Sequence, residues 1–91
     1  MQAPMSQAQD VRPTRDALLG MFRETASEVV EREFGGISES TRIEELVIDS
    51  LGMLEIIGSL ERRLHIRLPD DSLIGLDTIR DLLDVVEKRL A

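Results

Sequence analysis

Between positions 50 and 64 the apolar residues recur at a helical interval, and this constrains the chain more than any other feature. Met53, Ile56, Ile57, Leu60 and Leu64 follow the i, i+3, i+4, i+7, i+11 spacing that puts them on one face of a helix. Two further segments carry the same period. Leu18, Met21, Phe22, Thr25 and Val29 share one helical face, and Ile79, Leu82, Leu83, Val86 and Leu90 share another. Three apolar stripes, none able to stay in water alone, predict a small all-α bundle.

The boundaries come from caps and breakers. Residues 1–13 (MQAPMSQAQDVRP) have no apolar period and read as a disordered leader, which leaves 14–91 as the domain. Thr14 suits an N-cap with Asp16 in the first turn, and the first helix should end before Gly35-Gly36. A long loop follows to Ile48, with room for a helical turn from Ile43 to Val47. The second helix should start at Asp49-Ser50 and run to about Leu64. Asp70 to Ile74, after Pro69 and closed by Gly75, reads as a short third helix. Thr78 with Asp81 resembles a capping box for the last helix. The segment His65 to Leu68 alternates like a strand but has no pairing partner, so it reads as a connector. The expected architecture is therefore a four-helix bundle, with three longer helices, one short third helix and a long loop between helices one and two.

Charge and composition narrow the function. The chain of 91 residues carries a net charge of -7, which disfavours nucleic acid and anionic membrane partners. Its acids cluster: between Ile43 and Glu61 lie Glu44, Glu45, Asp49, Glu55 and Glu61, with no Lys or Arg among them. No apolar run is long enough for a signal peptide core or a membrane span, so a cytoplasmic protein is expected; a monomer is expected as well. Cysteine is absent, and the single histidine, His65, lies about a full helix length from Ser50. A serine nucleophile needs a base within reach, so hydrolase chemistry is not expected; neither is a catalytic site or a metal site. His65 reads as a solvated residue at the helix end.

Helix two carries a second stripe. With Ser50 at zero and roughly 100° per residue, Leu54 falls near 40°, Gly58 near 80° and Leu51 near 100°, while the core residues centre near 300°. Glu61 and Glu55 flank the stripe at about 20° and 140°. Two leucines off the core face, beside a residue with no side chain and rimmed by carboxylates, suit docking to an apolar partner surface ringed by bases. The alternative is that Leu51 and Leu54 pack under the long loop or against the short third helix. Gly58 weakens a helix interior, which implies that something requires the room it leaves. Asp49-Ser50 taken alone is a helix start, with Asp49 as cap.

The D-S-L tripeptide at the start of helix two, the pattern of Leu54, Glu55, Ile56, Ile57 and Leu60, the run "LERRLHIRLPDD" and the final amphipathic helix together resemble the acyl carrier protein family. The resemblance covers about Thr14 to Leu90 and is most specific over "DSLGMLEIIGSLERRLHIRLPDD". It implies a carrier, not an enzyme, in which Ser50 bears a 4'-phosphopantetheine arm from coenzyme A and Asp49 completes the motif as cap. The thiol of that arm holds an acyl thioester. It further implies a phosphopantetheinyl transferase and acyl- or aminoacyl-loading and condensing enzymes as partners. These would meet the surface formed by Leu51, Leu54, Glu55, Gly58, Glu61 and Arg62. Exposure at the first position of a helix and free backbone amides suit a phosphodiester there, whereas the Asp49 carboxylate works against it electrostatically, so Asp49 serves to cap the helix and present Ser50 to the transferase.

Departures from the family pattern indicate which branch. Arg62 and Arg63 stand where fatty acid synthesis carriers generally continue an acidic run, and Gly58 stands where they often have a large apolar residue. Gly52 after D-S-L, and Val47-Ile48 in place of a glycine-containing lead-in, look more like freestanding carriers of specialised pathways, polyketide-like or aminoacyl and D-alanyl. Peptidyl carriers usually have His or Asn at the position of Asp49, which argues against that branch. An unmodified helical adaptor, using the Leu51/Leu54 patch for binding alone, is the reading from another class. Ile56, Ile57, Leu60, Leu76 and Ile79 are either ordinary core or the lining of a small space for cargo.

Overall fold

A computed structural model describes residues 13–90, which form three helices: α1, Arg15–Val30; α2, Ser50–Leu64; and α3, Ile79–Leu90. Two 3-10 turns, Ile43–Leu46 and Asp70–Leu73, interrupt the connections. The architecture is all-α, as expected, but the short third helix is a single 3-10 turn, so the count of four helices is corrected to three. Four residues after a proline, two of them aspartates, supply one turn of backbone bonding and no buried side chain to extend it. The leader expected over 1–13 falls almost wholly outside the described residues.

Each helix starts on a cap that is local in sequence. Thr14 Oγ1 accepts from the Ala17 amide at 3.1 Å. Asp81 Oδ2 accepts from the amides of Asp77 and Thr78, and Thr78 Oγ1 accepts from the Asp81 amide, the reciprocal box expected at the start of α3. The amides of Thr78 and then Asp77 hold the Asp81 carboxyl below its usual range, so this cap is in place at neutral pH and is lost as pH falls through that depressed value. α1 ends at Val30, earlier than the glycines that suggested its limit, because Glu31 turns left-handed (φ 54°) and its amide donates to the Ser27 carbonyl. α2 ends in the same way on His65, which is exposed and left-handed. Thus His65 closes the helix through its backbone.

The stripes meet as their period requires. Leu18, Phe22 and Ala26 of α1, Ile56, Ile57 and Leu60 of α2, and Ile79, Leu82, Leu83 and Val86 of α3 are buried together with Leu46 and Leu68. Thr25 is also fully buried, and its hydroxyl has no hydrogen-bond partner among the described residues. An unpaired buried hydroxyl costs more than the methyl group that replaces it. Thr25→Val is accordingly expected to raise stability by about 1 kcal/mol, measured by urea denaturation.

The long loop before α2 is tied to α3. Ile43 donates to the Asp77 carbonyl at 2.8 Å, Ile79 to Thr41 at 2.9 Å and Arg80 to Glu39 at 2.8 Å, around an isolated antiparallel bridge between Arg42 and Thr78. Among the described residues there is no other β pairing, and residues 65–68 form a connector as expected. Arg15 gathers Glu39, Asp84 and Glu87 at 2.7–3.0 Å, joining the start of α1, the loop and α3. Glu39 first, then Asp84, keep its guanidinium firmly protonated. These ties fix the loop, and with it the approach to α2.

Candidate functional site

α2 begins where its sequence places the cap. Asp49 is extended, its Oδ1 accepts from the Gly52 amide at 2.7 Å, and its carbonyl accepts from the Met53 amide at 2.9 Å. The amides of Ser50 and Leu51 have no acceptor among the described residues, which leaves the positive end of the helix open to an anionic group. Ser50 is exposed, and its hydroxyl bonds to none of the described residues. His65, at the far end of the 15-residue helix, is about 22 Å away along the axis. Among the described residues no group is hydrogen-bonded to this hydroxyl to activate it.

Gly52 has a structural explanation. A Cβ there would stand 2.9 Å from Ile48 Cγ2 and 3.1 Å from Asp49 Oδ1, so glycine lets the lead-in fold down onto the first turn with the cap in place. Val47, just before it, takes a left-handed conformation (φ 54°, ψ 52°) that β-branched residues avoid. It is 78 % exposed, so little packing compensates for the strain. Val47→Gly is expected to stabilise the fold by about 1 kcal/mol, visible as a higher Tm; an unchanged or lower Tm would mean that the strain is absent.

The second stripe of α2 faces solvent. Leu51 and Leu54 are exposed, and so are Val47 and Ile74, giving four large apolar side chains on the surface among the described residues. With both leucines this exposed, neither is packed away under the long loop or against the Asp70–Leu73 turn, although Leu54 borders Ile43 and Leu73 at its edge. Glu55 and Arg62 are exposed and form no ion pair among the described residues. Arg63, next to Arg62, is instead bound to Glu24 at 3.0 Å and Glu28 at 3.1 Å, cross-linking α2 to α1. Glu61 is half-buried, and its Oε2 accepts from the Leu68 amide at 2.7 Å, so it holds the connector after α2. An added Cβ at Gly58 would meet only Arg62 Nη1, at an ordinary 3.5 Å. The fold itself does not require the room that Gly58 leaves.

Beside Leu54 opens an apolar cleft of about 230 Å³ lined by Ile43, Met53, Leu54, Ile57, Leu73 and Leu76. Of the five residues considered for such a lining, Ile57 and Leu76 are there, whereas Ile56, Leu60 and Ile79 are core. Ile43 and Leu73 reach it from the two 3-10 turns, and Ile74 stands exposed just after the second. The sequence offered no period by which to find them.

A family model, described as the phosphopantetheine attachment site, matches residues 18–86, a span that includes Ser50 and most of all three helices. The chain belongs to the acyl carrier protein family. It is 35 % identical over 78 residues to the actinorhodin polyketide synthase acyl carrier protein of Streptomyces coelicolor, covering 86 % of this chain and 91 % of that one. It is also 32 % identical to the meromycolate extension acyl carrier protein of Mycobacterium leprae, covering 82 % of this chain but only 66 % of that one. Among solved structures, the acyl carrier protein of Thermotoga maritima superposes with a TM-score of 0.77 at 28 % identity, over 84 % of this chain and 89 % of that one. Acyl carrier proteins are carriers and not enzymes, and 4'-phosphopantetheine is their prosthetic group. The start of α2 in this carrier fits that group: a free hydroxyl, two open amides and no side chain hydrogen-bonded to either.

Proposed function

We propose that this carrier holds an acyl thioester on a phosphopantetheine arm attached at Ser50 and delivers it between enzymes of a polyketide-synthase-type pathway. The observation that carries the reading is the unengaged, exposed Ser50 hydroxyl at the open N-terminus of α2, beside the Leu51/Leu54 stripe. The arm supplies a terminal thiol that bonds acyl groups. Asp49 caps the helix and orients Ser50, and the open Ser50 and Leu51 amides favour the phosphate. Because His65 is remote, the base that takes the Ser50 proton belongs to the phosphopantetheinyl transferase.

Leu51, Leu54, Glu55, Gly58 and Arg62 form the surface that the transferase and the loading and condensing enzymes meet. Glu61 contributes by fixing the connector below that surface. Support for the polyketide branch comes from the actinorhodin relative, which matches at higher identity and over more of its length than the mycobacterial one. The apolar cleft of about 230 Å³ beside Leu54 offers a surface against which a carried acyl group can rest.

The cargo class is tested by offering the arm-bearing protein either malonyl-coenzyme A with a malonyl transferase, or alanine with ATP and an adenylating enzyme. A malonyl thioester alone is expected. An aminoacyl thioester alone would move the protein to the aminoacyl branch, and full biological activity of Ser50→Ala would favour an unmodified adaptor.

A further inference from the structure

Arg32 follows the left-handed Glu31 that ends α1, and the function described so far makes no use of it. Its guanidinium lies 4.6 Å from the centroid of the Phe34 ring, and its Nη2 donates to the carbonyl of Leu46, the last residue of the first 3-10 turn. Glu33 and Glu45 line the same groove, yet Arg32 forms no ion pair with either among the described residues. Its partner is a backbone oxygen.

That oxygen sits at a sensitive point. Leu46 is buried, and Val47 after it is strained and left-handed with its side chain in solvent. Ile48 then presses on Gly52, and Asp49 and Ser50 follow directly. A charged donor placed over an aromatic face and bonded to a backbone oxygen makes a strong hydrogen bond. Without it, the backbone at Val47 is free to relax toward the conformations that a β-branched residue prefers.

We propose that Arg32 is a positioning residue for the modification of Ser50, clamping the Leu46 carbonyl so that the strained Val47 presents the Ser50 hydroxyl in one orientation. The inference rests on the reading of Ser50 as the attachment site. Loss of the clamp lowers the population of the competent lead-in, and the apparent affinity of the transferase for the carrier falls by that fraction while the rate in the bound complex stays the same. The signature is a rise in KM with kcat unchanged.

The test is a double-mutant cycle of Arg32→Ala and Val47→Gly, assayed with coenzyme A and a broad-specificity phosphopantetheinyl transferase on the apo protein. Arg32→Ala alone is expected to raise KM about tenfold. In the Val47→Gly background, where glycine holds the left-handed conformation without help, the same change is expected to raise KM less than about twofold. Equal increases in the two backgrounds, a fall in kcat instead of a rise in KM, or no effect of Arg32→Ala would each overturn the proposal. If Arg32→Ala fails to fold, Phe34→Leu, which removes only the aromatic platform, enters the same cycle with the same expectations. A wild-type protein that takes no arm overturns the Ser50 reading instead. The clamp is then read from amide exchange at Gly52, expected to speed up in Arg32→Ala and to recover in the double variant; no change would overturn it.

Discussion

Leu54→Arg is expected to lower kcat/KM with the transferase and the loading enzymes at least tenfold, with Tm within a few degrees of the wild-type value. Leu54 is 61 % exposed on α2, four residues beyond Ser50, and its neighbours on that face, Leu51 and Gly58, belong to no core contact that arginine would break. Little stability is therefore at stake. Docking is another matter: an apolar anchor buried at the centre of an interface contributes about 2 kcal/mol or more, equivalent to roughly thirtyfold in affinity. Arginine would also place a positive charge beside Glu55, in a region whose acids favour basic partners. Steady-state kinetics and a thermal melt on one preparation separate the two effects. Destabilisation by several kcal/mol would instead place Leu54 in the core.

Phe22→Ala is expected to cost about 3–5 kcal/mol of folding stability, measured by urea denaturation. Phe22 is completely buried and is the largest such side chain, on the α1 stripe that packs with Ile56 and Leu60 of α2 and Leu82 of α3. A domain of this size has about 5–15 kcal/mol in all. So large a loss leaves an appreciable unfolded fraction near physiological temperature. A cost under about 1.5 kcal/mol would mean that α1 does not seat its stripe in the bundle, since a cavity of this size is not closed cheaply in a close-packed core.

What could be read from the sequence was local. The bounds of α2 follow from Asp49 as cap and from one apolar stripe, and the Thr78/Asp81 box marks the start of α3, with Thr78 just before the helix and Asp81 in its first turn. Exposure of Leu51 and Leu54 follows from their angle to that stripe. What escaped the sequence depends on segments meeting from a distance. Glu61 looks like part of a charged rim on a helical wheel, yet the chain turns back after His65 and brings the Leu68 amide to it. The adjacent Arg62 and Arg63 are alike in sequence, and only the approach of α1 separates the bound one from the free one.

The glycines show the same limit. Gly52 read as a mark of carriers of specialised pathways, and its steric reason, the close fit of Ile48 and Asp49 on the first turn of α2, was not visible without the structure. Arg32 carried no signal at all, because its partner is a carbonyl fourteen residues away. The short turn at Asp70–Leu73 was legible as helical but not as 3-10, since four residues are too few for a period to distinguish the two.

Intact-mass spectrometry of the wild type and Ser50→Ala, after incubation with coenzyme A and a broad-specificity phosphopantetheinyl transferase, tests the central claim most directly. The wild type is expected to gain the mass of one phosphopantetheine, mapped by digestion to the peptide containing Ser50, and Ser50→Ala to gain none. An unmodified wild type, or equal modification of the two proteins, would contradict it.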